Sequence, residues 1–240
     1  MTELLYHTDS YLRETQARVV AVSQDVGGIA LDRTVVYPGG GGQPHDLGWV
    51  ETNGRTLPIL GMQRAGEHLW HLLDAAAGPL ASEGTRVLLR LDWDRRYRLM
   101  RTHTALHILC GLIFRDYGAH VTGGNMEPGQ ARMDFEFERM HAELVREIEG
   151  KINAEVAAAR PVRVRILPRA EAFQIPDLIR TKVNLLPEGI TEVRTVEIVG
   201  LDLQADGGTH VANTSEVGPI RITDYRSKGR INKRLVIALD

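Results

Sequence analysis

His103 and His107 stand four residues apart in Arg101-Thr102-His103-Thr104-Ala105-Leu106-His107-Ile108-Leu109-Cys110. On a helix this spacing stacks two imidazoles on one face, where they can grip one metal ion from two corners of a tetrahedron. Thr104 occupies the place where a zinc protease of the His-Glu-x-x-His type carries its general base, so that chemistry is disfavoured. Further along, Asp206-Gly207-Gly208-Thr209-His210 sets a carboxylate and an imidazole on either side of a double-glycine turn, a second pair of candidate ligands. Each pattern also has a plain structural reading: two half-buried rings in one case, a good turn in the other.

Two more stretches bear on chemistry. Tyr37-Pro38-Gly39-Gly40-Gly41-Gly42-Gln43-Pro44-His45-Asp46 carries four consecutive glycines, which impose no side chains and permit positive φ, so backbone can approach a ligand closely. It lacks the Lys-Ser/Thr ending of a phosphate-binding P-loop. A slack surface loop is the bland alternative, but the run follows a β-type segment and closes on Gln43 and Asp46. Near the C-terminus, Tyr225 to Arg234 is a basic run with Lys228 and Arg230 at its centre. It reads as a solvated loop or, with its tyrosine and glycine, as a surface for an RNA backbone and an unstacked base.

The elements that must position these residues can be read from periodicity. Leu99, Leu106, Leu109, Leu112 and Ile113 recur at helical spacing, and no Gly or Pro interrupts Leu91 to Cys110, so His103 and His107 fall on a helix. Before it, Ala17–Val22, Gly28–Leu31, Thr34–Tyr37, Gly48–Glu51, His68–His71 and Thr85–Leu91 read as short strands of a small barrel or sandwich. After it, Ala119–Asn125 reads as a turn, Ala131–Phe137 as a half-buried strand, and His141–Ala159 as an amphipathic helix. Strands follow at Val162–Ile166, Val193–Val199, Pro219–Thr223 and Arg234–Leu239. The expected class is α+β: residues 1–92 form a small β-barrel-like domain with the Gly-rich motif. Residues 93–240 form a metal-binding α/β domain with the histidine helix and an antiparallel sheet.

Composition sets the outer bounds. With 29 Lys and Arg against 31 Asp and Glu, the chain is slightly acidic, which argues against indiscriminate coating of nucleic acid but leaves room for a local basic patch. There is no apolar run long enough to span a membrane, and Met1–Tyr6 is no signal peptide. The single cysteine, Cys110, excludes an internal disulfide and fits a reducing cytoplasm.

Taken together, the motifs resemble the editing module of alanyl-tRNA synthetase, and most closely the free-standing AlaX alanyl-tRNA editing proteins. Arg33–Pro38 with the glycine run and Gln43-Pro44 matches that family's Gly-rich motif. Arg101–His107 matches its H-x3-H zinc motif. Gly207–Val211 with Asn213-Thr214 and Glu216–Gly218 matches its second zinc motif. The motifs follow in family order over nearly the whole chain, and the length suits the medium class. The family's usual Cys four residues before the last His is here Asp206. The resemblance then implies His103, His107, Asp206 and His210 as ligands of Zn²⁺, with Fe²⁺ or Mn²⁺ admitted by the harder oxygen donor. Cys110 is at no family ligand position and reads as a packed core thiol.

What the resemblance implies is an ATP-independent, metal-dependent deacylation of tRNA(Ala) mischarged with serine or glycine, sparing alanyl-tRNA(Ala). Serine exceeds alanine by one hydroxyl, and a site that hydrogen-bonds this hydroxyl can discriminate strongly because alanine leaves its polar groups unpaired. Thr34 and Gln43 are the candidate catalytic-site side chains for that reading. Gly39, Gly40, Gly41 and Gly42 would line the substrate, and Lys228 and Arg230 would meet tRNA phosphates. Two other classes fit the same residues: a small-molecule hydrolase or oxygenase built on a His3Asp metal site, and a non-catalytic tRNA-binding module.

Overall fold

Alternation of buried and solvent-facing residues closes the N-terminal strands into a barrel. In the computed structural model, which describes residues 2–74, 76, 81–180 and 189–240, the strands are β1 (Glu3–Leu4), β2 (Glu14–Ser23), β3 (Gly28–Leu31) and β4 (Arg33–Thr34). They continue with β5 (Gly48–Thr52), β6 (Arg55–Ala65), β7 (His68–Leu73) and β8 (Arg86–Leu91). The closed barrel runs β2-β3-β7-β6-β5-β8, every neighbouring pair antiparallel, while β1 and β4 form a short parallel pair. Val19, Ile29, Leu31, Val50, Leu57, Val87 and Leu89 fill its interior.

Two strand expectations need correction. Thr34–Tyr37 is strand only as far as Thr34. Beyond it the amides turn to side chains: Val36 N–H donates to Thr34 Oγ1 (3.0 Å) and Tyr37 N–H to Asp46 Oδ2 (2.7 Å), so no neighbouring strand is needed to satisfy them. Conversely, β6 is not legible in the sequence. Its apolar positions Leu57 and Ile59 alternate correctly, but Pro58 and Gly61 break the pattern, and a register shift falls between Ile59 and Gly61.

The chain divides into two compact units, residues 1–40 with 44–97 and residues 41–43 with 98–240. In the second lies most of helix α1 (Trp93–Tyr117). Every residue from Thr102 to Ile113 is buried. A helix buried all round must satisfy each polar side chain it carries, which makes Thr102, His103, Thr104 and His107 conspicuous. Gly111 continues the helix for a steric reason: a Cβ there would lie 2.7 Å from Asp202 Cβ and 3.0 Å from Leu201 O.

After α1 come β9 (Val121–Glu127), β10 (Gln130–Glu136), α2 (Ala142–Ala157), β11 (Val162–Pro168) and α3 (Arg169–Ala172). The last strands are β12 (Glu192–Ile198), β13 (Asp202–Ala205), β14 (Ile220–Ser227) and β15 (Asn232–Leu239). They form two antiparallel sheets, β14-β15-β10-β9 and β11-β12-β13. Helix α2 buries Val145, Ile148, Ile152 and Val156. The expected turn at Ala119–Asn125 is instead strand β9, paired Gly124 to Met133 and Gly123 to Asp134. The glycine run comes close to it: a Cβ on Gly42 would meet Gly124 O at 3.3 Å, and Met126 N–H donates to Gly42 O at 3.1 Å. The basic run is a hairpin rather than a loop, its turn held by buried Lys233, whose Nζ donates to Gly229 O (2.7 Å) and Arg230 O (2.9 Å).

Candidate metal centre

Helix α1 presents His103 and His107 one turn apart, and the segment after β13 presents Asp206 and His210. One ligand atom from each lies within 4.8 Å of the others. Nε2 of His103 is 3.4 Å and Nε2 of His107 is 3.9 Å from Asp206 Oδ2, while Nε2 of His210 is 3.1 Å from Asp206 Oδ1. A tetrahedral ion with bonds of ~2.0–2.2 Å sets its donors roughly 3.3–3.6 Å apart, the scale of this cluster.

The far side of each ring explains why the near sides converge. His103 Nδ1 is 3.0 Å from Gln43 Oε1, His107 Nδ1 is 3.0 Å from Asp202 Oδ2, and His210 Nδ1 is 3.2 Å from Thr104 Oγ1. Where each neutral ring donates its Nδ1–H to that partner, its Nε2 lone pair faces the centre, the arrangement by which metal-ligating histidines are fixed in ring orientation and tautomer. Each partner is itself anchored. Gln43 Oε1 also accepts from Thr209 N–H (3.1 Å), and its Nε2 donates to Thr209 Oγ1 (2.9 Å). Asp202 Oδ2 accepts from Gln204 Nε2 (2.7 Å), and Thr104 Oγ1 accepts from Val211 N–H (3.2 Å). Asp206 Oδ1 accepts from Gly208 N–H at 2.7 Å. Gly208 has to be glycine, since a Cβ would stand 2.5 Å from His103 Nδ1 and 2.6 Å from Gln43 Oε1.

Electrostatics follow from burial and from the one central carboxylate. Burial holds His103 well below the ordinary histidine range, with the neighbouring His210 and His107 adding to the effect against the pull of Asp206. It likewise takes His210 down to about 4, opposed by the hydrogen bond to Asp206. For His107 burial works in the same direction but loses: hydrogen bonds and attraction from Asp202 and Asp206 push it up to about 9. Burial would raise Asp206, yet the surrounding imidazoles hold it well below the usual carboxylate range. Three imidazole nitrogens and one ionised oxygen fit a divalent cation, which would displace the proton that Asp202 and Asp206 hold on His107.

The other predicted residues lie as follows. Gly41, Gly42 and Gln43 belong to the second unit with the four ligands, whereas Thr34, Gly39 and Gly40 belong to the first. All four glycines have positive φ, at 89°, 133°, 57° and 89°. No other residue type holds four such positions in succession. Thr34 is fully buried, its Oγ1 accepting from Val36 N–H and lying 2.8 Å from His71 Nε2. Lys228 and Arg230 are exposed at the β14–β15 turn. Cys110 is buried, in contact with Gln204 Nε2 at 3.4 Å.

Sequence reasoning misses Asp202 and Thr104. Asp202 carries a signal, since it shares a strand face with Gln204 and points toward the ligand that follows them. Thr104 carries none.

Two family descriptions match the chain: the second additional domain of threonyl and alanyl tRNA synthetases over residues 193–236, and class II (A) tRNA synthetases over residues 6–95. The chain is 40% identical to the alanyl-tRNA editing protein AlaX-M of Saccharolobus solfataricus over 240 residues, covering 98% of each. It is 36% identical to the AlaX-M protein of Methanosarcina barkeri, over 100% of this chain and 99% of that one. The alanine–tRNA ligase of Thermococcus kodakarensis is 38% identical over 92% of this chain, a match that takes up 24% of the ligase.

Proposed function

Because the chain belongs to the AlaX family of alanyl-tRNA editing proteins, we propose that it is a cytoplasmic trans-editing hydrolase. Its substrate is seryl-tRNA(Ala), with glycyl-tRNA(Ala) second, and it spares alanyl-tRNA(Ala). The observation that carries the reading is the convergence of His103, His107 and His210 Nε2 on Asp206, each ring held from behind.

His103, His107, Asp206 and His210 would hold one divalent ion, Zn²⁺ or, given the carboxylate, Fe²⁺ or Mn²⁺. Bound there, such an ion supplies Lewis-acid polarisation of the ester or a water made acidic. The chain's own groups do the rest. Gln43, Asp202 and Thr104 keep the three rings aimed, so little is lost to reorganisation when substrate arrives. Gly39 to Gly42 present bare backbone to the aminoacyl group. Thr34 reads the serine hydroxyl: Val36 N–H and His71 fix its own hydroxyl in one orientation. Alanine offers no hydroxyl and cannot make that further bond. Lys228 and Arg230 meet phosphates, which position the substrate without selecting it.

The test is single-turnover deacylation of seryl- and alanyl-tRNA(Ala), alongside elemental analysis. The expected result is about one divalent ion per chain, lost in His107→Ala, and fast release of serine only. Thr34→Val should lower the seryl rate by ~1–3 kcal/mol of transition-state stabilisation and narrow the selectivity ratio. Metal-loaded protein that binds tRNA without releasing either amino acid would overturn the reading in favour of a binding module.

A further inference from the structure

The four-stranded sheet has two unlike faces. Ala131, Met133, Phe135, Leu235 and Ile237 are buried on one. The other carries residues two apart along β10 and β15 and their cross-strand partners. Its successive rows are Gln130–Ala238–Arg221, Arg132–Val236–Asp224, Asp134–Arg234–Arg226 and Glu136–Asn232. Lys228 lies beyond the last, its N–H donating to Asn232 O.

Two depressions open on this face and share Gln130. One, of about 290 Å³, is bordered by Arg98, Arg101 and Arg221; the other, of about 280 Å³, by Arg132, Arg226 and Arg234. They join six arginines into a strip that leads on to Lys228 and Arg230. The carboxylates along it are Glu127, Asp134, Glu136, Asp224 and Asp240, still fewer than the cations, in a chain whose overall balance is slightly acidic.

Arg226 and Arg234 face each other directly across β14 and β15. Each has its own counter-ion, Asp224 for Arg226 and Asp134 for Arg234; Arg221 likewise pairs with Asp240, and Arg132 Nη1 lies 3.7 Å from Asp134 Oδ2. Exposed pairs of this kind contribute little to stability, so Arg132, Arg221 and Arg226 can exchange a carboxylate for a phosphate at small cost. Arg234 is locked in place by a two-bond fork to Asp134, Nε to Oδ1 at 2.7 Å and Nη2 to Oδ2 at 2.8 Å. The rows repeat every ~6.8 Å, two residues along a strand, a spacing of the order of the phosphate repeat in a polynucleotide. One end of the face is tied to the metal centre: Met126 N–H on β9 donates to Gly42 O, and the next residue, Gln43, holds His103.

Accordingly, we propose that this sheet face is a track for the RNA backbone, in which Arg132, Arg221 and Arg226 each meet a phosphate of the substrate's tRNA body. It rests on the editing function above, and extends the RNA-binding surface from the hairpin turn across the whole sheet.

The variant to test replaces Arg132, Arg221 and Arg226 with Gln in the full chain. The measurements are binding of uncharged tRNA(Ala) between low and moderate salt, and deacylation of both seryl-tRNA(Ala) and the small ester 3′-O-seryl-adenosine. Each phosphate left without its arginine should flatten the slope of log affinity against log salt by ~0.7–0.9, so a combined change of roughly 2–3 is expected. The small ester, which has no tRNA body, should be cleaved as by the parent protein. Arg163→Gln with Arg165→Gln, exposed arginines on the other sheet, should leave the slope alone. A triple variant with the parent slope and affinity would overturn the track, as would an equal effect from the Arg163 and Arg165 pair. If the parent protein binds tRNA through these arginines but cleaves neither ester, the track stands and the editing function fails.

Discussion

Arg96 and Asp46 in the first unit, and the His103–His107–Asp206–His210 set in the second, are both buried clusters of ionisable groups, and they are finished differently. Arg96 and Asp46 are wholly buried and close on each other. Arg96 Nε reaches Asp46 Oδ1 and Oδ2, both at 3.0 Å; its remaining nitrogens donate to Ser10 O (3.0 Å) and Val35 O (2.6 Å), and Asp46 Oδ2 also accepts from Tyr37 N–H. Such a network leaves nothing for a ligand. In the second unit the outward nitrogens are satisfied, and three inward ones are turned on a single carboxylate. A closed network pins a loop, here the base of the glycine run; an inward-facing one waits for a cation.

Breaking the closed network should have the largest effect. Asp46→Ala leaves the Arg96 charge buried without its partner and should cost about 3–5 kcal/mol in denaturant unfolding. A loss below ~1 kcal/mol would mean that water or a rearranged backbone replaces the carboxylate, and the contrast with the metal centre would lapse.

Next in size is acid sensitivity in the barrel. Burial takes His71 down from the ordinary 6.5 to about 4, with the Ile29 backbone opposing weakly. Its neutral form thus contributes fully above pH 6.5, and that contribution drains away as pH falls toward 4, by about 3 kcal/mol in all. Comparing unfolding of the parent and His71→Gln from pH 7 to pH 4 should show the parent losing stability more steeply. Parallel curves would place the acid sensitivity elsewhere.

A smaller change sharpens the open network. Asp202→Ala should lower metal affinity by roughly 10–100-fold in chelator competition, because His107 loses the acceptor that sets its tautomer. Asp202→Asn keeps an acceptor oxygen and should lose less. Equal losses would assign the role of Asp202 to charge alone.

Smallest is Asp206→Cys. The ion should remain, with preference moving toward Zn²⁺ and away from Fe²⁺ and Mn²⁺ as thiolate replaces oxygen. An unchanged preference would show that Asp206 shapes the turn through Gly208 N–H and does not ligate.

The parts legible in the sequence are those with a period or a distinctive spacing. His103 and His107 can be placed because α1 has a helical stripe, and Asp206 and His210 because a strand runs into a double-glycine turn. Strand β9 escapes because Gly123 and Gly124 signal a turn locally, whereas here they pair with Asp134 and Met133 of β10. Gln43 stands out as a polar residue beside the glycines, but its amide goes to His103 and Thr209, a pairing that only the folded chain creates. Thr104 is conspicuous in the sequence only for the glutamate it is not. Its bond to His210 has no footprint in local sequence, since side-chain partners far apart along the chain leave no periodic trace.

The glycine run has a consequence for how the chain can be cut. Residues 41–43 pack with the second unit, while the residues on both sides of them pack with the first. During synthesis Gln43 is made long before His103 and Thr209, so its amide has no destination until the later segment has folded. A polypeptide of residues 98–240 would contain all four ligands yet lack the oxygen that aims one of them. The second unit is therefore not a portable module: transplanted without its borrowed tripeptide, it carries a metal site with one ring unheld.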